Sequence, residues 1–222
     1  MASDSTPSNA ALAAAIDHTL LDPFADEGRI LALCHEATSW GCAAVCVHPT
    51  WIGAAARAPV RPRICTVIGF PHGANTTAAK VYETRDAIAE GADEIDMVIN
   101  LAAIMRRDVD AMTHEIRAIV DAADGRIVKV ILESGNLTRD QIVAGCAAAE
   151  SAGAHFVKTS TGFLGAGARL DHVRIMRAAA ASLKVKASGG IRDRATALAM
   201  LEAGADRLGL SKTALVLGRE DP

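Results

Sequence analysis

The sequence predicts a single-domain α/β protein, a closed (β/α)8 barrel of the TIM-barrel architecture. Two observations lead to this fold class. Eight short β-favouring segments alternate with stretches long enough for helices, and one glycine-centred phrase recurs four times between a helix-favouring stretch and a β-favouring run. Regular alternation of strands and helices is typical of a parallel sheet covered by helices. The 222 residues suffice for a compact barrel of this kind.

The recurring phrase marks the joint between a helix and the strand that follows it. Glycine suits the end of a helix, because the backbone there turns left-handed and a Cβ would be strained. Four copies therefore indicate repeated αβ units. The copies are Trp40–Val45, Glu90–Ile95, Ala152–Val157 and Ala203–Leu208.

The strand candidates are mostly continuous apolar runs, as is typical of parallel strands whose outer face is covered. They are Ala15–Leu21, Val45–Val47, Ile64–Ile68, Glu94–Ile99, Ile127–Leu132, Phe156–Thr159, Val185–Ser188 and Arg207–Leu210. The intervening segments predict helices, several opening with an Asp or Thr N-cap. These are Asp26–Ser39, Thr76–Glu90, Asp108–Ala123, Thr138–Ala152, Asp171–Ala181 and Asp193–Ala203. An open doubly wound sheet is the alternative, but eight strands favour a closed barrel.

Composition excludes several classes of protein. A net charge of -3 without a basic cluster argues against nucleic-acid binding, and no apolar run is long enough to span a membrane. Residues 1–9 are polar, lack a secretory pattern and predict a disordered lead before a catalytic domain at residues 10–222. Five cysteines without a Cys-x-x-Cys pair indicate buried free thiols and a cytoplasmic location.

Three of the six lysines lie inside strand candidates, flanked by Val, Ile or Ala: Lys129, Lys158 and Lys186. A lysine is almost never fully buried without a partner or a task. Since alternate residues of barrel strands face the interior, these three amines are expected to converge there. Snorkelling at a strand end or a buried salt bridge is the structural alternative. The other lysines, Lys80, Lys184 and Lys212, stand where they can face solvent.

Converging lysines suggest Schiff-base chemistry. A neutral amine attacks a carbonyl carbon, and a nearby ammonium in a dry site favours that neutral form. Lys158 and Lys186 lie on consecutive strands, so one is expected to be the nucleophile and the other its perturbing neighbour. Asp96 is a carboxylate in a further apolar strand and must be paired or functional. It is expected to relay protons, although a plain ion pair with Lys129 or Lys186 is the alternative.

Glycines and hydroxyl residues follow the last strands, at Thr159–Gly162, Ser188–Gly190 and Gly209–Ser211. Glycines let backbone N–H groups close around an anion, and hydroxyl groups add further donors. Barrel enzymes often bind phosphate with the loops after strands seven and eight. These segments therefore predict a phosphorylated substrate.

At these residues the sequence resembles the deoxyribose-phosphate aldolase family. The resemblance rests on motifs that occur in family order over nearly the whole chain: Ile16–Leu21, Val45–Pro49, Val67–Gly73, Glu94–Asn100, Val157–Phe163 and Val185–Arg192. It implies reversible, metal-independent cleavage of 2-deoxy-D-ribose 5-phosphate to acetaldehyde and D-glyceraldehyde 3-phosphate, without a cofactor. It also implies a homo-oligomer, either a dimer or a tetramer.

The resemblance further implies a role for each matching residue. Lys158 corresponds to the Schiff-base lysine, Lys186 to the lysine that perturbs it and Asp96 to the proton relay. The phosphate-binding positions are Gly162, Gly189, Gly190, Gly209 and Ser211, and the substrate-binding positions also include Asp17, Thr19, Cys46, Lys129 and Thr161. The chain has Asp22 where many members have a lysine, and Lys212 where some members have a second serine. It also lacks the terminal tyrosine of some members, since its one tyrosine is Tyr82.

Three rival functions remain open on the sequence. A metal-dependent enzyme would need clustered ligands, but the seven histidines contain no His-x-His or His-x-x-x-His pair. His18, His48 and His72 do follow three strand candidates, so a metal site at the barrel mouth is conceivable. A sugar-phosphate isomerase would share the phosphate loops but has no need of paired lysines. A non-catalytic sugar-phosphate sensor would bind its ligand without turnover.

Overall fold

The computed structural model describes residues 7–219, and these residues form a closed barrel of eight parallel strands in sequence order. Strand β8 pairs with β1 and closes the sheet. The predicted fold class is therefore confirmed. The strands are β1 Ile16–Leu20, β2 Ala44–Val47, β3 Ile64–Ile68, β4 Glu94–Val98, β5 Ile127–Ile131, β6 Phe156–Lys158, β7 Lys184–Ser188 and β8 Arg207–Leu210.

Within the described part of the chain, six longer helices cover the barrel at the predicted places, and four short helices were not predicted. Five of the longer helices have a side-chain N-cap, including a capping box between Thr138 and Gln141. The helices are α1 Asn9–Ala13, α2 Glu27–Trp40, α3 Ile52–Ala56, α4 Thr77–Ala89, α5 Leu101–Met105, α6 Val109–Ala122, α7 Arg139–Ser151, α8 Leu170–Ala179, α9 Arg194–Glu202 and α10 Thr213–Leu217. Single 3-10 turns occupy Pro49–Trp51 and Ser134–Asn136.

The glycine joints precede the four even-numbered strands β2, β4, β6 and β8. Their glycines, Gly41, Gly91, Gly153 and Gly204, all have positive φ angles, between 74° and 111°. Such a backbone ends the helix and redirects the chain into the sheet. The repeated phrase in the sequence thus corresponds to a real structural repeat of two strands.

The strands separate an apolar outer core from a mixed barrel interior. The outer core lies between the strands and the helices and consists of aliphatic residues, for example Ile95, Val130 and Val185. Inside the barrel, small apolar residues of β2 and β3 form a separate patch with Leu21: Ala44, Cys46, Cys65 and Val67. The remaining inward positions, on β1 and β4 to β8, include the charged residues of the candidate site.

Two sequence-based expectations need correction. Ser8 and Asn9 do not belong to a disordered lead, because the Ser8 side chain caps α1 and Asn9 begins it. Residues 1–6 of that predicted lead lie outside the described residues, as do residues 220–222 of the predicted domain. Lys80 is fully buried rather than solvent-facing, and its Nζ donates to Glu115 Oε1 at 2.8 Å. None of the helices within residues 7–219 is long and apolar enough to cross a membrane.

Candidate active site

Asp96 of β4 is the centre of an ion cluster inside the barrel. Its Oδ2 accepts hydrogen bonds from Lys158 Nζ at 2.7 Å and from Lys186 Nζ at 2.8 Å. Its Oδ1 accepts from Lys129 Nζ at 2.8 Å and from the Cys65 thiol at 3.1 Å. The strand lysines therefore converge as predicted, and a single carboxylate joins all three amines.

Asp17 of β1 forms the second centre of the cluster. Lys186 Nζ donates to its Oδ2, and Arg207 of β8 donates to its Oδ1 at 2.5 Å. Lys129 Nζ lies 3.8 Å from Asp17 Oδ2. Asp17 is thus buried beneath the strand ends and faces other protein groups, rather than lining the open cavity.

Glu94 completes the cluster towards the N-terminal ends of the strands. It lies two residues before Asp96 on β4, so both side chains point inward. Its Oε2 lies 2.6 Å from Lys129 Nζ and 3.6 Å from the Arg207 guanidinium. The ring of Phe156 packs against the Lys129 and Arg207 cations, with centroid distances of 5.9 and 5.7 Å.

Mutual ion pairing fixes the charges of most of these groups. Burial by itself would raise the pKa of Asp96, but Lys129, Lys158 and Lys186 outweigh it and hold this pKa well below its usual value. Burial likewise disfavours the charged form of Lys186, yet Asp17 and Asp96 keep the pKa of that ammonium above its ordinary value. Burial also disfavours the charged form of Lys129, but the neighbouring Asp96 outweighs it and the pKa of Lys129 is raised well above its usual value. Burial also opposes ionisation of Asp17, but Lys186, Lys129 and Arg207 hold its pKa below the usual value. The ion pairs therefore favour the ionised carboxylates of Asp17 and Asp96 and the charged forms of Lys129 and Lys186.

Two buried thiols face the cluster from the apolar side of the interior. Cys46 of β2 and Cys65 of β3 are paired in register on adjacent strands. Cys65 accepts a hydrogen bond from Lys129 Nζ at 3.3 Å. Burial raises the pKa of the Cys65 thiol well above its usual value. Cys46, which the resemblance places at the substrate, lies deep in the barrel beside it.

A cavity of about 740 Å³ opens at the C-terminal ends of the strands. Lys158 is the one cluster lysine that lines it, and only 3% of its surface is exposed. Seven other predicted site residues line the same cavity: Thr19, Thr161, Gly162, Gly189, Gly190, Gly209 and Ser211. The cavity wall also contains Arg192, Lys212 and Phe163. The remaining predicted residues, Asp17, Cys46, Asp96, Lys129 and Lys186, lie beneath its floor and are fully buried.

Cross-links between the loops after β6 and β7 shape the cavity wall. The Thr159 hydroxyl donates to the Ser188 carbonyl, and the Ser188 hydroxyl donates to the Ser160 carbonyl. The Thr161 backbone N–H is held by the buried carboxylate of Glu133 at 3.0 Å. These bonds hold the glycine-rich segments next to Lys158.

Gly209 provides room for Lys186 to reach the cluster. A Cβ at this position would lie 3.1 Å from Lys186 Cε and 3.0 Å from Ser188 Cβ. A side chain at this position of β8 would therefore crowd Lys186 and Ser188, which would have to shift by a few tenths of an ångström. The close approach of Lys186 and Ser188 thus explains why glycine occupies position 209, independently of phosphate binding.

The histidines at the strand ends do not gather into a metal site. His18 contacts Glu36 at 2.8 Å and the Thr213 hydroxyl at 2.8 Å, while His48 contacts the Leu21 carbonyl. Within residues 7–219, two groups of three potential ligands do come together: Cys46, Cys65 and Asp96, and Asp17, Cys65 and Glu94. Neither group contains a histidine, and lysine ammonium groups already contact their carboxylates.

Three cluster members were missed on the sequence: Cys65, Glu94 and Arg207. Glu94 and Arg207 each stand two residues from a residue that was singled out, on the same face of the strand. Period-two alternation along β4 and β8 is the signal that would have found them. Cys65 carries no such signal, because a buried cysteine most often acts as a small apolar residue.

Comparison with known proteins agrees with this geometry. Residues 11–221 match the model of the DeoC/LacD family aldolases. The chain is 50% identical over 204 residues to deoxyribose-phosphate aldolase 1 of Bacillus licheniformis, covering 90% of this chain and 92% of that one. It is 48% identical over 216 residues to the deoxyribose-phosphate aldolase of Exiguobacterium sp., covering 95% and 98% of the two chains.

A solved structure, the tetrameric deoxyribose phosphate aldolase of Aeropyrum pernix, superimposes with a TM-score of 0.89 at 33% identity. The match covers 95% of this chain and 91% of that one. Family model, relatives and fold all point to the same group of enzymes. The chain therefore belongs to the DeoC/LacD family of aldolases.

Proposed function

We propose that this protein is a class I aldolase that reversibly cleaves 2-deoxy-D-ribose 5-phosphate to acetaldehyde and D-glyceraldehyde 3-phosphate. The observation that carries the proposal is the position of Lys158. It is the one cluster lysine at the floor of the cavity, and its Nζ shares the Asp96 Oδ2 atom with a second lysine. The curated relatives carry the same activity in their names.

The proposed reaction begins with attack of the neutral Lys158 amine on the aldehyde carbon of the open-chain sugar. Loss of water gives an iminium ion, which withdraws electrons from the neighbouring carbon. Removal of the proton from the C3 hydroxyl then breaks the C2–C3 bond, and the electron pair moves into an enamine on Lys158. D-glyceraldehyde 3-phosphate leaves first, and protonation and hydrolysis of the enamine release acetaldehyde.

Asp96 is suited to relay the protons of these steps. Its Oδ2 contacts the amines of Lys158 and Lys186 at once, so it can pass a proton between them. Loss of water from the carbinolamine that the Lys158 amine forms with the aldehyde, and return of water to the iminium carbon, both need such transfers. Lys186 supplies the positive charge that disfavours a second ammonium beside it.

The other end of the cavity is suited to a phosphate group. Gly162, Gly189 and Gly190 have positive φ angles of 85°, 88° and 78°, a geometry that can direct backbone N–H groups towards an anion. Ser211 adds a hydroxyl group, and the Arg192 and Lys212 side chains line the same wall. Binding the phosphate there would leave the sugar chain extended towards Lys158.

We also propose a cytoplasmic, homo-oligomeric enzyme. The five cysteines are free, and four of them are buried, which fits a reducing compartment. The Aeropyrum pernix relative is tetrameric. Mass photometry of the purified protein would distinguish a monomer from a dimer or tetramer.

Steady-state assay of the purified protein with 2-deoxy-D-ribose 5-phosphate tests the proposed activity. We expect acetaldehyde release that is unaffected by a chelator, and the reverse reaction from the two aldehydes. Ribose 5-phosphate in place of the deoxy sugar tests isomerisation. Ketose formation without cleavage would support an isomerase, and binding without any turnover would support a sensor; either result would contradict the proposal.

A further inference from the structure

The charges of the ion cluster inside the barrel can be counted, and they balance without Lys158. Among residues 7–219, three carboxylates form ion pairs with the cations of this cluster: Asp17, Glu94 and Asp96. Three cations other than Lys158 contact them: Lys129, Lys186 and Arg207. A buried cluster is most stable when its charges cancel, because uncompensated charge is expensive away from water. Protonation of Lys158 would give this cluster one surplus positive charge.

We propose that Arg207 is a positioning residue of the aldolase. Together with Lys129 and Lys186 it supplies the third positive charge needed to balance the three carboxylates of the cluster, so the Lys158 amine can remain uncharged. This inference rests on the proposed Schiff-base function. The inference extends the control of Lys158 from a pair of lysines to the whole ion cluster. Arg207 is not among the residues that line the cavity, so it can act on Lys158 only through other cluster members. Arg207 acts through Asp17 and Glu94, which in turn contact Lys186 and Lys129.

The contacts of Arg207 explain how its charge reaches the amine. The guanidinium donates to Asp17 Oδ1 at 2.5 Å, while Lys186 Nζ donates to the other oxygen of the same carboxylate. Lys186 then contacts Asp96 Oδ2, the acceptor of Lys158. With Arg207 absent, the interior would carry one excess negative charge, and a proton on Lys158 would be the nearest means of cancelling it.

Other groups around the cluster stand outside this count. The buried carboxylate of Glu133 accepts from the Thr161 backbone N–H and forms no ion pair with the cluster cations. Arg63 approaches Glu94 at 3.8 Å, but its side chain is 55% exposed, so water screens its charge. Lys184 is exposed and packs on the Phe156 ring. Cys46 and Cys65 face the cluster from β2 and β3, and both thiols are present unchanged in every variant proposed below.

The test compares how the reaction of Lys158 with acetaldehyde depends on pH. Aliquots are reduced with borohydride, and intact mass gives the rate of adduct formation at each pH. We expect Arg207→Gln to move the midpoint of this profile upward by about one pH unit or more, and Glu94→Gln to move it downward. The double variant Arg207→Gln/Glu94→Gln removes both charges and should return the midpoint towards that of the unmodified protein.

Two further variants serve as controls. Arg207→Lys keeps the charge, so its midpoint is expected to stay close to that of the unmodified protein, without most of the shift produced by Arg207→Gln. Arg63→Gln is the matched control, because it removes an arginine that contacts the same Glu94 from the solvent side. Its midpoint should move by less than about half a pH unit.

Opposite shifts of the midpoint in the two single variants indicate charge balance. Disruption of packing would lower the rate of adduct formation but would not move the two midpoints in opposite directions. Equal shifts in one direction, or lower rates with fixed midpoints, would overturn the inference. Should Arg207→Gln fail to fold, the downward shift of Glu94→Gln still decides the matter. Absence of any adduct on Lys158 in the unmodified protein would instead overturn the proposed function itself.

Discussion

Lys158 and Lys186 donate to the same oxygen atom, Asp96 Oδ2, at 2.7 and 2.8 Å. Two amines that share one acceptor are close neighbours, and one carboxylate oxygen cannot neutralise two ammonium groups. Lys186 is held in its charged form by a second carboxylate, Asp17, whereas Lys158 has the cavity on its other side. The two lysines are thus distinguished by their partners, and this difference favours Lys158 as the proposed nucleophile.

Removal of Lys186 should affect the reaction of Lys158 through charge. In Lys186→Met, Asp17 and Asp96 lose one of their cations, and the ammonium form of Lys158 is then favoured. We expect adduct formation with acetaldehyde at pH 7 to slow at least about tenfold and to recover at alkaline pH. The exposed Lys184→Met, two residues earlier on β7, is the matched control and should leave the profile in place. A loss in Lys186→Met that is equal at all pH values would speak for misfolding instead.

Asp96→Asn should affect both activity and stability, because it removes the central charge but keeps the shape. Three ammonium groups would then lose their common counter-ion. We expect kcat to fall by about two to four orders of magnitude and the free energy of unfolding to fall by about 3–5 kcal/mol. Asp140→Asn, at an exposed carboxylate, should change the unfolding free energy by less than about 0.5 kcal/mol. Urea denaturation and steady-state assays check both values, and an active Asp96→Asn protein would contradict the assignment.

The lowered pKa of Asp96 also predicts how stability depends on pH. An unfolded Asp takes up a proton near its ordinary pKa of 3.8, while the folded Asp96 stays ionised below it. The stability contributed by this group is therefore complete above that pH and is lost as the pH falls further. Urea midpoints measured from pH 6 down to about pH 2.5 should decline more steeply for the unmodified protein than for Asp96→Asn. Parallel curves would contradict the ion cluster.

The phosphate end of the cavity can be tested through Arg192. In Arg192→Gln the cavity wall loses one of its cations, so we expect a roughly tenfold rise in KM for 2-deoxy-D-ribose 5-phosphate with a smaller change in kcat. Inorganic phosphate should also inhibit the variant more weakly. Arg174→Gln, at an exposed position on α8, serves as the control. An unchanged KM and unchanged phosphate inhibition would place the phosphate elsewhere.

The sequence was sufficient for the fold and for the convergence of the three strand lysines, because both depend on local patterns. Nearly continuous apolar runs mark β3 and β5, and the glycine joints end helices where they were expected. The partners of each charge could not be read in this way, because they depend on strand register around the barrel. Arg207 forms an ion pair with Asp17, which is 190 residues away in the sequence, and Lys80 of α4 forms one with Glu115 of α6. The burial of Lys80 follows from that pairing, and its helical sequence gives no hint of it.

The most direct test of the central claim is the identity of the residue that captures the aldehyde. The protein is incubated with acetaldehyde, reduced with borohydride, digested and sequenced by mass spectrometry, with Lys158→Met and Lys184→Met treated in parallel. We expect a two-carbon adduct on Lys158 in the unmodified protein and in Lys184→Met, and neither adduct nor turnover in Lys158→Met. An adduct on Lys186 or Lys129, or turnover that persists in Lys158→Met, would contradict the account.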